Sequence, residues 1–138
     1  MRLPIGIFYN EIMFDNIEEG EEMGKIRKFN TGAARDTDEG KIDYEGFLSP
    51  LVLEAYGNYM NKHRVQVNGK LRESDNWQKG FGKDHFKVCI KSLWRHFFDL
   101  WKEHRGISTK DGIVSALMGC LFNVMAYAHQ YLKEKSDI

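Results

Sequence analysis

The run Ile113–Leu132 is apolar almost all the way round a helical wheel. Such a segment can only be a helix covered on several sides, so it commits the chain to packing helix against helix. Asn123 interrupts it, and a buried amide must find hydrogen-bond partners. Ser115, Gly119 and Asn123 recur at four-residue steps and form one small-residue face. The helix is expected over 110–133, and no apolar run is expected to approach a membrane span.

Two further helices supply the covering. Ser49-Pro50 reads as an N-cap followed by proline at the first helical position. Leu48, Leu51, Val52, Ala55, Tyr56, Tyr59 and Met60 then recur at helical spacing, giving a helix over 48–64. Asp84 is the candidate N-cap of a helix over 84–105, ended by Gly106 as a left-handed cap. Its Phe86, Ile90, Leu93, Trp94, Phe97, Phe98 and Trp101 form one broad apolar stripe, expected to face the core. Ser92, Arg95, His96, Asp99 and Glu103 fall on the other side of the wheel. Asn68-Gly69 between short β-prone runs indicates a hairpin over 65–72. Before these elements come an N-terminal arm or strands over 1–30, with extended pieces at Leu3–Phe14 and Lys25–Phe29, and a charged loop over 31–47. The fold expected is mostly α: a single domain with a small bundle of three main helices, a minor β-hairpin and an irregular N-terminal segment.

Charge narrows the partners. The 138 residues carry 20 basic and 20 acidic side chains, a formal net charge of zero. That is no footprint for a nucleic-acid polymer, although local charge can still serve a small nucleotide. Cys89 and Cys120 fall inside helices, as reduced core residues do, and no Cys-His spacing fits zinc. The N-terminal residues lack a secretory pattern, so a cytoplasmic location is expected, the host cytoplasm if the chain is phage-encoded.

Several chemistries fail on spacing. Gly24-Lys25, Gly40-Lys41, Gly69-Lys70 and Gly82-Lys83 all lack the Ser or Thr of a P-loop, and there is no GxGxxG. The densest charge lies in Thr31–Pro50, where Arg35, Asp36, Asp38, Glu39, Lys41, Asp43 and Glu45 sit among Gly32, Gly40 and Gly46. Carboxylates are the oxygen donors Mg²⁺ prefers, and Lys and Arg answer phosphate. The same residues can equally form a solvated loop whose charges neutralise one another. If the polar face of helix 84–105 turned towards this loop, its acids and Lys41 would meet Arg95, His96, Asp99, Asn76, Trp77 and Asn123. Those are the parts of a Mg²⁺-nucleotide site.

Four segments in this order, RDTDEGKIDYEGFLSPLVL, HRVQVNGKLRESDNWQKG, SLWRHFFDLWKEHRG and ALMGCLFNVMAY, resemble the phage-borne dATP/dGTP diphosphohydrolase family. That family is similar in turn to the MazG-like all-α nucleotide pyrophosphohydrolases. The resemblance spans about residues 31 to 132 and implies Mg²⁺-dependent hydrolysis of a purine (deoxy)nucleoside triphosphate to the monophosphate and pyrophosphate. By position the family-like residues are Asp38, Gly40, Lys41, Asp43, Asn76, Trp77, Gly80, Arg95, His96 and Asn123. On this reading Asp38, Asp43 and Asp99 hold Mg²⁺, with Asp36 or Glu39 as further donors. Lys41 and Arg95 stabilise the leaving pyrophosphate, and Arg35 adds a ligand-binding cation. His96 acts as general base or fixes Asp99, Trp77 stacks on the purine, and Asn76 or Asn123 reads its edge. The resemblance and the apolar helices also imply a homo-oligomer.

The chain departs from MazG-like enzymes in its acids. Their helical EExxE and ExxD carboxylates have counterparts only in the glycine-broken Glu18–Glu22 loop and in the tail, Glu134 to Asp137. That departure motivates an alternative: a non-catalytic nucleotide-binding protein that uses the same pocket to sequester its ligand.

Overall fold

A computed structural model describes residues 25–136; the extended piece expected at Leu3–Phe14, the Glu18–Glu22 acids and Asp137 lie outside the described residues. The fold is mostly α with a small two-stranded antiparallel sheet, as the sequence leads one to expect. The chain divides into two compact units, Met1–Leu48 and Ser49–Ile138.

In the first unit, β1 (Ile26–Lys28) pairs with β2 (Ala34–Asp36), Ile26 opposite Asp36 and Lys28 opposite Ala34. β1 falls in the extended piece expected at Lys25–Phe29, whereas β2 lies inside the stretch read as a charged loop. Gly32, at φ 88°, provides the left-handed residue that closes the turn between them. The unit ends in a four-residue helix, α1 (Tyr44–Phe47), whose first turn is capped by Asp43: Gly46 N–H donates to its Oδ1 at 2.9 Å.

The second unit holds α2 (Pro50–Lys62), two 3-10 turns at Asn76–Lys79 and Gly82–Asp84, α3 (His85–His104) and α4 (Gly112–Ser136). Ser49 caps α2, accepting from Val52 N–H, and Pro50 takes the first helical position. Asp84 holds the cap position of α3 without a side-chain hydrogen bond. α3 ends in a Schellman motif: Gly106 N–H donates to Glu103 O and Ile107 N–H to Lys102 O, with Gly106 at φ 80°. The expected hairpin at 65–72 is reduced to a tight turn with one isolated bridge, Val65 to Leu71. Asn68-Gly69 does not form a two-residue turn here. Instead Gly69 N–H bonds to Gln66 O, Gln66 N–H to Lys70 O, and Gly69 takes φ 81°.

α3 and α4 run antiparallel. His85 bonds to Ala126 near one end, and His96 lies against Gly119 further along. The face of α3 that meets α4 is not the expected one. His85 and Cys89 are buried and Ser92, His96 and Asp99 half-buried, whereas Trp94 is 67% exposed and Ile90, Phe97, Phe98 and Trp101 between 43% and 50%. Trp94, Phe97, Phe98 and Trp101 of the stripe read as core-facing therefore point away, whereas Leu93 is half-buried and Phe86 packs against Tyr127 of α4 at 4.7 Å between centroids. The buried face of α4 carries the small residues Ala116, Gly119 and Ala126 together with Asn123, the kind of surface that lets a facing helix approach closely. The buried apolar side chains among the described residues are accordingly few, Cys89, Ala116, Met118 and Ala126. Two polar groups join them. His85 accepts Phe81 N–H at Nδ1 (3.0 Å) and donates from Nε2 to Ala126 O (2.9 Å), which fixes its tautomer and pins the Phe81 segment to α4. Leu51 and Val52 of α2, expected on its core face, are exposed, and Ala55, Tyr56, Tyr59 and Met60 do the packing.

α4 corrects one further expectation. Over its most apolar 18-residue window its mean hydropathy is 1.4, so by length and composition it could cross a membrane, a test that the core helix of a soluble protein also passes.

Candidate functional site

The second unit contains a cavity of about 660 Å³ between the C-terminal half of α2, the 64–77 segment, α3 and α4. That is the size range of small-molecule sites. Four residues singled out in the sequence, Asn76, Trp77, His96 and Asn123, line it together. Trp77 rides on the 3-10 turn Asn76–Lys79 and packs edge-on against Phe122 (6.1 Å between centroids) and His129 (5.0 Å). It thus anchors its loop to α4 and also forms part of the cavity wall.

Asn123 is only 3% exposed. Its Nδ2 donates to Gly119 O at 2.8 Å. A carbonyl can only accept, so this bond fixes the amide orientation and turns Oδ1 the other way. Oδ1 has no hydrogen-bond partner among the described residues, and Asn123 lines the cavity. Oδ1 is reached from the cavity rather than sealed off, so it is an acceptor available to an N–H donor on a ligand.

His96 stands between this cavity and a second one of about 140 Å³, which it shares with Tyr59, His63, Asp99, Thr109 and Asp111. Its ring lies directly over Gly119, where an added Cβ would overlap it. Burial pushes the His96 imidazole below the usual histidine range; Arg95 and His63 push the same way, and Asp99 and Asp111 oppose them. The result is a half-buried base held next to two carboxylates. Asp111 was not singled out in the sequence. Cys89 and Cys120 are free thiols whose burial pushes them up, away from reactivity.

Two arginines at the cavity also escaped the sequence reading. Arg64 and Arg72 face each other across the Val65–Leu71 turn. Arg72 N–H donates to Arg64 O, Arg64 Nε to Arg72 O at 2.8 Å, and Arg72 Nη1 to His63 O at 2.9 Å. Both line the cavity, and neither makes an ion pair among the described residues. Their equal four-residue spacing on either side of Asn68 is the one signal that could have found them.

The remaining sequence candidates fall in both units. Arg35, Asp38, Lys41 and Asp43 belong to the first unit, and all are exposed. Asp38 pairs with Arg27 at 3.0 Å, Glu39 lies 4.0 Å from Lys25, and Asp43 is occupied in capping α1. In the second unit Arg95 is exposed and lines neither cavity, and Asp99 faces Lys102 at 3.4 Å. The expected Mg²⁺ ligands Asp38, Asp43 and Asp99 thus split between units, and each has a local partner. Among the described residues no three His, Cys, Asp or Glu side chains converge in one cluster. No chemical step is assigned to a Mg²⁺ ion. Comparison of the chain with known protein families, with curated proteins and with solved structures finds no match.

Proposed function

We propose that this protein binds a purine nucleoside triphosphate in the larger cavity of the second unit and hydrolyses it to the monophosphate and pyrophosphate. The observation that carries the binding half is the meeting of Trp77, Asn76 and Asn123 in one cavity of nucleotide size. Trp77 offers an aromatic surface to the base, and Asn123 Oδ1 an acceptor for a base N–H. The hydrolytic half rests on His96. Its lowered pKa keeps it a free base at neutral pH, able to take a proton from an attacking water, with Asp99 and Asp111 beside it to favour the imidazolium that forms. Loss of pyrophosphate then leaves the monophosphate.

One observation favours a second reading, capture without cleavage. Asp38, Glu39 and Asp43 each have a local partner that competes with the metal-holding role expected of them. A single experiment divides the two. Incubation with dGTP, dATP and GTP plus Mg²⁺, resolved by anion exchange, is expected to yield monophosphate and pyrophosphate. Intact nucleotide co-eluting with the protein from gel filtration would support capture, and absence of both binding and turnover would sink the nucleotide reading.

The outward aromatic stripe of α3 supports a homo-oligomer, since four exposed rings on one helix face are worth several kcal/mol when covered. Light scattering at micromolar concentration is expected to give a multiple of 16.1 kDa. A monomer there would refute it.

A further inference from the structure

We propose that Arg64 and Arg72 form the polyphosphate subsite of the larger cavity, so that its ligand enters with the base towards Asn123 and the phosphates at the Val65–Leu71 turn. This rests on the nucleotide reading above and replaces Lys41 and Arg95 as the phosphate-binding cations.

Three observations support it. First, two guanidinium groups, charged at any physiological pH, line one cavity with no carboxylate paired to either among the described residues. Glu73 lines the same wall but makes no ion pair with them. Like charges so placed repel, and a multiply charged anion is what relieves the repulsion. Second, each fork is already oriented. Arg64 uses only Nε on Arg72 O, leaving both of its Nη groups, and Arg72 uses only Nη1 on His63 O, leaving Nε and Nη2. These bonds to main-chain carbonyls fix the side chains before a ligand arrives, which lowers the ordering cost of binding. Third, the opposite chemistry lies on the same cavity: the open Oδ1 of buried Asn123, with Trp77 and Phe122. A ligand that satisfies both sets is a planar hydrogen-bonding ring joined to a polyanionic tail, as in a nucleoside di- or triphosphate.

The test is calorimetric binding of deoxyguanosine, dGTP (as its α,β-methylene analogue, whose P–C bond cannot be hydrolysed to release pyrophosphate) and inorganic tripolyphosphate to the full chain. Wild type is compared with Arg64→Gln, Arg72→Gln and Lys70→Gln, with melting curves for each. Lys70→Gln removes a cation from the same turn at a residue that does not line the cavity. Each arginine variant is expected to lose roughly 10- to 100-fold in affinity for dGTP and for tripolyphosphate, as for a charged hydrogen-bonded contact. Deoxyguanosine affinity should be unchanged, and Lys70→Gln should differ less than about twofold throughout. Equal losses for nucleoside and triphosphate would mean the arginines only hold the turn, and unchanged dGTP affinity would put the phosphates elsewhere; either overturns the proposal. If wild type binds tripolyphosphate in an arginine-dependent way but neither guanine ligand, the polyanion subsite stands and the nucleotide reading falls. If wild type binds tripolyphosphate no better than the arginine variants do, the subsite is refuted.

Discussion

Two charged turns invite comparison, the charged stretch from Thr31 to Phe47 in the first unit and the Arg64–Arg72 turn of the second. The first is by far the more conspicuous in sequence, yet its acids find local work: Asp38 on Arg27, Glu39 near Lys25, Asp43 on the α1 N-terminus. The second carries fewer charges, but its arginines bond only to main-chain carbonyls and border a cavity. Charge density in a sequence therefore measures solvation as readily as function. On the subsite proposed above, what would distinguish a binding group is charge left unneutralised beside a concave, partly apolar wall.

The comparison can be broken from the cavity side first. Gly119→Ala places a methyl where the His96 ring lies, and overpacking of this kind costs roughly 1–3 kcal/mol. Melting should fall by several degrees, with nucleotide binding reduced in parallel. A wild-type melting curve would mean that His96 is free to swing away and that the wall is not rigid. Next in size, Trp77→Ala should weaken nucleotide binding about tenfold or more if the base rests on the indole; an unchanged affinity would leave Trp77 as a loop anchor only.

His96 gives a smaller, pH-dependent effect. Its folded-state pKa lies below its unfolded value, so the unfolded chain binds more protons as pH falls. The contribution is complete above the ordinary histidine range and is lost as pH drops through that range towards the lowered folded value. Melting temperature should fall between pH 7.5 and 5.5 by more in wild type than in His96→Gln. Equal slopes would remove the buried-base assignment. The smallest effect belongs to the first unit. Asparagine caps as well as aspartate, so Asp43→Asn should change nucleotide binding and turnover less than about twofold. A tenfold drop would return the charged stretch to the site and reverse the comparison.

The helices were legible because each announces its ends and its period. Ser49-Pro50 starts α2, Gly106 stops α3, and the apolar run from Ile113 marks α4, whose observed span is Gly112–Ser136. Asn123 was legible as a demand for partners, and Trp77 as an indole in a polar loop that had to go somewhere. The rotation of α3 was not legible. Periodicity states which residues share a face but not which neighbour that face meets, and the broad aromatic stripe at Trp94 and Trp101 outweighed the narrow one at His85, Cys89 and Ser92. Asp111 and the arginine pair were hidden for a similar reason. Their neighbours across the cavity lie far away in the chain, and no local pattern records the empty space between them.

The sequence by itself determined the helical class and the helix boundaries to within a few residues. These follow from local terms: capping, backbone preference and apolar spacing. Only the tertiary structure decided which charges stay unpaired, which face of α3 turns inward, and where a cavity opens. α4 bears on them through its buried face, where Ala116, Gly119 and Ala126 admit close approach and Asn123 requires a polar neighbour. That constraint acts between segments distant in the chain, so it exists only once the helices have packed.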